Sequence, residues 1–119
     1  MPHLHLEYTR NLTLDTHQTM LRLNEALVAS GHFEENTIKA RATRLDDFLV
    51  GTVQPASKRA FIHVRLGILS GRTPAIKKQL ADLMVSTLRQ GGPWPEGVQV
   101  QLTAQLIDME REIYGKTVF

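Results

Sequence analysis

Alternating apolar and polar residues open the chain and predict a β-strand. From His3 to Tyr8 every second side chain is apolar or aromatic, which places the two sets on opposite faces. Helical spacing follows from about Asp15 to Ser30, where four apolar residues recur on one side: Met20, Leu23, Leu27 and Val28. Gly31 then stands where a helix C-cap is expected. The first part of the chain therefore predicts a strand followed by a helix.

The middle of the chain returns to strand patterns. Lys39 to Leu45 alternates again and predicts a second strand. Gly51 to Lys58, which includes Pro55, has the composition of an exposed connection. Ala60 to Leu69 is rich in β-branched and aromatic residues and gives the strongest strand signal.

The second helix carries its own boundary signals. Thr73 is a natural N-cap, and Pro74 follows at the first helical position, where the missing N–H of proline costs nothing. Five residues form the apolar stripe of this helix: Ile76, Leu80, Leu83, Met84 and Leu88. The pair Gly91-Gly92 ends the helix, and alternation from Val98 to Ile107 predicts the last strand.

The two halves of the chain repeat each other at an offset of about 57 to 60 residues. The matched positions are Leu4-His5-Leu6 with Ile62-His63-Val64, Leu23 with Leu80, and Leu27 with Met84. A duplicated βαβ unit gives a four-stranded sheet with both helices on one face. We therefore predict an α+β fold, βαββαβ, in one domain over residues 1–119, with pseudo-repeats at about 2–58 and 59–119. Moderately apolar alternation on two strands of the other face predicts that further subunits cover it.

Composition excludes several classes of protein. The 119 residues are 42% hydrophobic and 22% charged, which is ordinary for a soluble globular domain. Basic residues are scattered and the net charge is only +2, so no nucleic-acid surface is indicated. Neither a signal-peptide pattern nor a run of about 18 apolar residues occurs, and we expect a cytoplasmic protein without a membrane span.

Several kinds of catalytic site find no support in the sequence. The lack of cysteine excludes disulfides, thiolate nucleophiles and zinc-thiolate sites. His3 and His5 share a strand face, but the other histidines supply no third ligand of matching spacing, so we expect no metal site. The G-x-S-x-G element of serine hydrolases is also absent.

Four residues remain as candidates for chemistry. Pro2 precedes the first strand, Lys39 and Arg41 share a face of the second, and Arg72 stands at the start of the second helix. Each has an ordinary explanation when taken alone: a permitted second residue, a solvated strand face and a surface arginine. Two or three cations that converge on a pocket can nevertheless hold a small anion without a large net charge.

Three segments resemble the tautomerase superfamily, and most of all its 5-carboxymethyl-2-hydroxymuconate Δ-isomerase family. They are PHLHLEYTRNL at the start, AFIHVRLGILSGRT in the middle and the helix PAIKKQLADLMVSTL. The resemblance covers nearly the whole chain, including IKAR at the second strand, and its most specific parts are the opening Pro-His and the Gly-Arg-Thr before the helix. It implies a cofactor-independent isomerase of aromatic-compound catabolism that assembles as a homotrimer.

The resemblance assigns the base to Pro2. Methionine before proline is normally removed in cells, and removal of Met1 would leave Pro2 with a free secondary amine. An α-amino group has a reference pKa of about 7.7 to 8.0, which burial or nearby guanidinium charge lowers. A neutral amine of this kind is suited to moving a proton between two atoms of a conjugated acid.

The resemblance also implies the substrate and the residues that bind it. The substrate class is an unsaturated dicarboxylate or tricarboxylate with a 2-hydroxy or 2-oxo group. Arg72 is expected to clamp a carboxylate, and Lys39 or Arg41 to polarise the 2-oxygen. Tyr114 and Phe33 are expected in the pocket wall.

Three alternatives stay open. A superfamily relative could use the same proline for decarboxylation or hydration of a 3-oxo or unsaturated acid. The RNA-binding module shares the βαββαβ order, but its central strands carry stacking aromatics, whereas KARATRL and AFIHVRL contain only Phe61. The third alternative is a trimeric binding protein that keeps the fold without turnover.

Overall fold

The computed structural model describes residues 1–53 and 58–119. Within these ranges the elements are β1 (His3–Thr9), α1 (Thr16–Ala29), β2 (Lys39–Leu45), β3 (Arg59–Leu69), α2 (Pro74–Gln90) and β4 (Gln99–Met109). Short 3-10 turns cover Glu35–Thr37 and Arg111–Ile113. The connection expected from Gly51 to Lys58 lies partly outside the described residues, because positions 54–57 are not among them.

Local hydrogen bonds explain where the helices begin and end. Asp15 Oδ1 accepts from the Gln18 N–H at 3.0 Å and caps α1. The helix ends at its C-cap Ser30, one residue before the predicted Gly31, which follows with a φ of +81° that favours glycine. In α2, Thr73 Oγ1 accepts from a first-turn N–H at 3.2 Å, and Gly91 is the C-cap.

Two βαβ units meet in the middle of one four-stranded sheet. The strand order is β2-β1-β3-β4. β1 runs parallel to β2 and antiparallel to β3, while β3 runs parallel to β4. The central antiparallel pair places Leu6 opposite Val64, so each half supplies one inner strand. The α+β fold predicted from the sequence is confirmed.

The core lies between the helices and one face of the sheet. Its fully buried members come from every layer, and they include Leu4, Leu6, Leu23, Leu27, Ile62, Val64, Leu66 and Met84. Each fully buried side chain of this size contributes about 1.5–3 kcal/mol relative to an exposed one. The apolar stripes of the two helices therefore account for the layer arrangement.

The other face of the sheet is mostly polar, which corrects the expectation of moderately apolar strands there. The pleat turns the apolar residues of β4 toward the helices, since Val100, Leu102 and Leu106 pack against the core. Histidine, lysine, arginine, threonine and glutamine alternate with them and occupy the face without helices: His3, His5, Lys39, Arg41, Thr43, His63, Arg65, Gln99, Gln101, Thr103 and Gln105. Hydrogen bonding, rather than apolar packing, dominates this surface.

Candidate functional site

The chain start lies in a pocket of about 280 Å³. Four separate segments form its wall: the N-terminus, the stretch between α1 and β2, the end of β3 with the loop that follows, and the C-terminal tail (residues 110–119). The lining residues are Met1, His32, Phe33, Glu34, Thr37, Leu69, Arg72, Arg111 and Lys116. The pocket therefore combines an amine, several cations and a small apolar wall.

Pro2 directly follows Met1, which lines the pocket, and is fixed in place. Its side chain is fully buried, and its carbonyl accepts the Lys39 N–H at 3.1 Å, just before β1 begins. The proline is thus joined to the sheet by a main-chain hydrogen bond on one side. Removal of Met1 would place the Pro2 nitrogen at the chain terminus, next to the pocket that Met1 lines.

Positive charge surrounds the α-amino group of Met1. Its pKa is lowered from the ordinary value of 8.0, first by burial and then by Lys39, Lys116 and Arg72. The carboxylate of Glu34 acts in the opposite direction. Burial and cations both disfavour the ammonium form, so the amine loses its proton more readily than one in water.

Arg72 is held against the pocket wall by two contacts. Its Nη2 donates to the His32 carbonyl at 3.0 Å, and its guanidinium carbon lies 4.7 Å from the centroid of the Phe33 ring. Cation–π contact of this kind orients a guanidinium without neutralising it. Gly71, with a φ of +123°, provides the turn that brings Arg72 to this position before α2. Phe33, expected in the wall, lines the pocket.

The remaining predicted residues divide into two groups. Lys39 stands beside the pocket, with its Nζ donating to the Thr37 carbonyl at 2.9 Å and its charge acting on the α-amino group. Arg41 and Tyr114 meet instead at His3, whose Nδ1 lies 2.9 Å from Arg41 Nη2 and whose Nε2 lies 2.8 Å from Tyr114 Oη. Of the predicted site residues, Arg72 and Phe33 line the pocket itself. Pro2 and Lys39 lie next to it, joined by a main-chain hydrogen bond, and Arg41 and Tyr114 do not line it but meet at His3.

Two cations of the tail were not foreseen from the sequence. Arg111 Nε donates to the Ser70 carbonyl at 2.7 Å, and Lys116 Nζ lies 2.9 Å from Met1 Sδ. Both line the pocket. The tail lacks the strand or helix periodicity that would have predicted their direction. Their positive charge soon after the last strand was the one available signal.

The described residues contain neither a metal-binding cluster nor a membrane-spanning helix. Across residues 1–53 and 58–119, no group of three or more histidine or acidic side chains is arranged to hold a metal ion. In those ranges neither helix has the length and apolar character needed to cross a bilayer.

The arrangement suits acid–base chemistry on a small anion. Arginine and lysine side chains offer hydrogen bonds and charge to carboxylates. An amine beside them whose pKa is lowered loses its proton more readily and in its neutral form accepts one, and the same cations stabilise negative charge that develops on a ligand.

Similarity to known proteins covers nearly the whole chain. A family model described as 5-carboxymethyl-2-hydroxymuconate isomerase matches residues 2–117. A solved 5-carboxymethyl-2-hydroxymuconate isomerase from Deinococcus radiodurans R1 is 29% identical, with 98% of this chain and 88% of that chain covered and a TM-score of 0.83. No curated protein sequence matches the chain significantly.

Two further solved structures are similar in fold. A 5-carboxymethyl-2-hydroxymuconate delta-isomerase is 18% identical, with 100% of this chain and 89% of that chain covered and a TM-score of 0.77. A fused 4-OT wild-type symmetric trimer is 16% identical, with 96% of this chain and 90% of that chain covered and a TM-score of 0.73.

Proposed function

The chain belongs to the 5-carboxymethyl-2-hydroxymuconate isomerase family and is an isomerase, and from this premise we propose that Pro2 is the general base of a cofactor-independent proton shift. The proposed substrate is an unsaturated dicarboxylate or tricarboxylate that carries a 2-hydroxy or 2-oxo group, as in aromatic-compound catabolism. One observation carries the proposal: the α-amino group of Met1, the residue directly before the buried Pro2, has its pKa lowered by burial and by nearby cations, and Met1 lines the pocket.

The proposed reaction uses the Pro2 nitrogen twice. After Met1 is removed, the neutral secondary amine takes the proton of the 2-hydroxyl group. The oxygen electron pair forms the C=O bond, the conjugated double bond shifts, and a carbon of the chain receives the proton back from the pyrrolidinium nitrogen. No electron is gained or lost in total, and acid and base are the same group.

The cations in and beside the pocket are assigned to substrate binding and to stabilising negative charge on the substrate. We assign Arg72 to a substrate carboxylate, with Arg111 and Lys116 as further carboxylate ligands. We assign Lys39 to the 2-oxygen, because its backbone is hydrogen-bonded to Pro2 and its charge acts on the Met1 amine that directly precedes Pro2. Arg41 and Tyr114 are proposed to support substrate binding through His3, to which both are hydrogen-bonded.

A homotrimer is the proposed active form, in the cytoplasm. The fused 4-OT proteins with this fold are described as trimers, and the sheet of this chain has a broad polar face without helices. In a closed assembly with three-fold symmetry, neighbouring subunits cover this face of each subunit.

The removal of Met1 and the role of Pro2 as base are tested on the same purified protein. Mass spectrometry of the active protein is expected to show that Met1 is absent. Pro2→Ala is expected to lower kcat on 2-hydroxymuconate by about 10²- to 10⁴-fold, the usual contribution of a positioned general base. Circular dichroism and oligomer mass should stay as in the wild type.

Two results would contradict this proposal. One is turnover by Pro2→Ala at the wild-type rate, and the other is an active preparation in which Met1 is fully retained. A parallel assay with 3-oxo acids separates the superfamily alternative, since a decarboxylase releases CO₂ whereas an isomerase changes only the ultraviolet spectrum of its substrate. A chain that turns over neither class but binds dicarboxylates would be the binding protein.

A further inference from the structure

His3 joins three parts of the molecule at the residue next to Pro2. It belongs to β1, its Nδ1 lies 2.9 Å from Arg41 Nη2 on β2, and its Nε2 lies 2.8 Å from Tyr114 Oη in the tail. The rings of His3 and Tyr114 also meet edge to face, with centroids 6.1 Å apart. Both ring nitrogens are therefore engaged.

The partners determine where the proton of the neutral His3 ring lies. A guanidinium only donates hydrogen bonds, so His3 Nδ1 must accept from Arg41. The proton then sits on Nε2, which donates to the Tyr114 oxygen. A protonated His3 would instead point an Nδ1–H at the donor of Arg41, and this contact would become repulsive.

Tyr114 is the anchor of the tail. Of residues 110–119, all of which the structure describes, it is the one that is not exposed. Arg111 and Lys116, the two pocket cations of this segment, stand three positions before and two positions after it. Arg111 has a second attachment at the Ser70 carbonyl, whereas Lys116 contacts Met1, a contact that ends when Met1 is removed.

We propose that His3 is a positioning residue whose neutral ring holds Tyr114, and through it Lys116, beside the Pro2 amine, and whose protonation releases this part of the tail. The proposal rests on the proposed role of Pro2. It gives the tail a function in substrate affinity.

The surroundings of His3 support a neutral ring at pH 7. Its pKa is lowered from the ordinary value of 6.5, first by burial and then by Arg41, Lys39 and the α-amino group. Tyr114 faces it from the tail, and β3 places Gly67, which has no titratable side chain, directly opposite. The hydrogen-bonded state is therefore complete above pH 6.5 and is lost as the pH falls through the lowered pKa.

The test compares KM with kcat for 2-hydroxymuconate in the processed enzyme. Tyr114→Phe keeps the ring and removes the oxygen, and it is expected to raise KM about threefold to tenfold, the effect of one lost hydrogen bond, with kcat within about twofold. Tyr8→Phe, the change of the only other tyrosine, which packs against the core, is the matched control. A kcat loss in Tyr114→Phe with unchanged KM would overturn the proposal.

A double variant tests whether Tyr114 acts through Lys116. When Lys116→Gln is already present, Tyr114→Phe is expected to raise KM no further, because the cation that it positions is gone. Fully additive effects on KM would contradict the proposal.

The pH dependence of KM tests the role of His3. His3→Gln has an amide that donates to Tyr114 but does not titrate, so its KM is expected to stay near the wild-type value at pH 7.5 and to lose the rise that the wild type shows toward pH 5. His5→Gln is the control, since His5 has the same pattern of an arginine at Nδ1 and a hydroxyl at Nε2 but no contact with the tail. Equal KM profiles for His3→Gln and the wild type would contradict the proposal.

Hydrogen exchange separates this inference from the role of Pro2. Without any substrate, amides of residues 112–119 are expected to exchange faster in Tyr114→Phe and, in the wild type, faster at pH 5 than the intrinsic rates predict. Unchanged protection in Tyr114→Phe rejects the anchor even if Pro2 proves essential. Active Pro2→Ala with lost protection in Tyr114→Phe rejects the base and keeps the anchor.

Discussion

The charge of one amine depends on side chains that lie far from it in the sequence. Lys39, Lys116 and Arg72 each lower the pKa of the Met1 α-amino group. We expect the same cations to act on the Pro2 amine once Met1 is removed, and a base has to be neutral to accept a proton. The value of kcat/KM is therefore expected to fall at low pH, because the amine becomes protonated. Each cation that is removed returns the pKa toward its ordinary value.

Lys39→Gln and Lys116→Gln are accordingly expected to move the acidic limb of the kcat/KM profile to higher pH. The measurement is kcat/KM from pH 5 to 9 at constant ionic strength. Lys78→Gln is the control, because Lys78 is exposed on α2 and pairs with Asp82 at 2.7 Å, away from the pocket. An unmoved limb in both pocket variants would show that these charges do not tune the base.

Residue roles were predictable only in part. The resemblance selected Pro2 and Arg72 as candidates, because their neighbours Pro-His and Gly-Arg-Thr are specific short motifs, and Arg72 does line the pocket. It did not predict the hydrogen bond between Arg41 and His3, since a hydrogen bond between strands depends on their register.

Secondary structure followed closely from the sequence where local signals were strong. Thr73, Pro74 and the apolar stripe behind them defined α2, and the strand from Lys39 to Leu45 was predicted with its observed bounds. Helix ends were less certain, since Ser30 and not Gly31 is the C-cap of α1. The apolar character of the uncovered face was predicted wrongly, because alternation alone does not say which face the helices cover.

The start of α2 offers a test at the level of the element. Thr73→Ala removes the oxygen that accepts the Ile76 N–H, and it is expected to lower the free energy of unfolding by about 1 kcal/mol. Urea denaturation measures the change. Thr73→Ser should keep most of the stability, and Ser86→Ala, which removes an exposed mid-helix hydroxyl, should change it by less than about 0.5 kcal/mol. A loss in Ser86→Ala equal to that in Thr73→Ala would reject the cap as the cause.

The whole molecule brings together segments that are distant in sequence. The pocket combines residues from positions 1, 32–37, 69–72 and 111–116. No local pattern connects these stretches, and the tail has neither helical nor strand periodicity. This is why Arg111 and Lys116 emerged from the structure alone.

Assembly is tested at the same scale. Light scattering on the purified chain is expected to give three times the chain mass of 13.4 kDa at micromolar concentration. Gln101→Glu, on the polar side of the edge strand β4, should lower this mass if subunits meet there, because like charges would face each other. A monomer with full activity would contradict the proposed trimer.

The contact between Lys116 and Met1 brings the two ends of the polypeptide within a few residues of each other. A circular permutant is therefore feasible, in which a short linker joins residue 119 to Pro2 and new ends open at the exposed Gly97 turn. Such a molecule would keep every strand pairing and every pocket cation. Its proline nitrogen, however, would be part of an amide without basicity, which separates the fold from the chemistry without changing a single side chain.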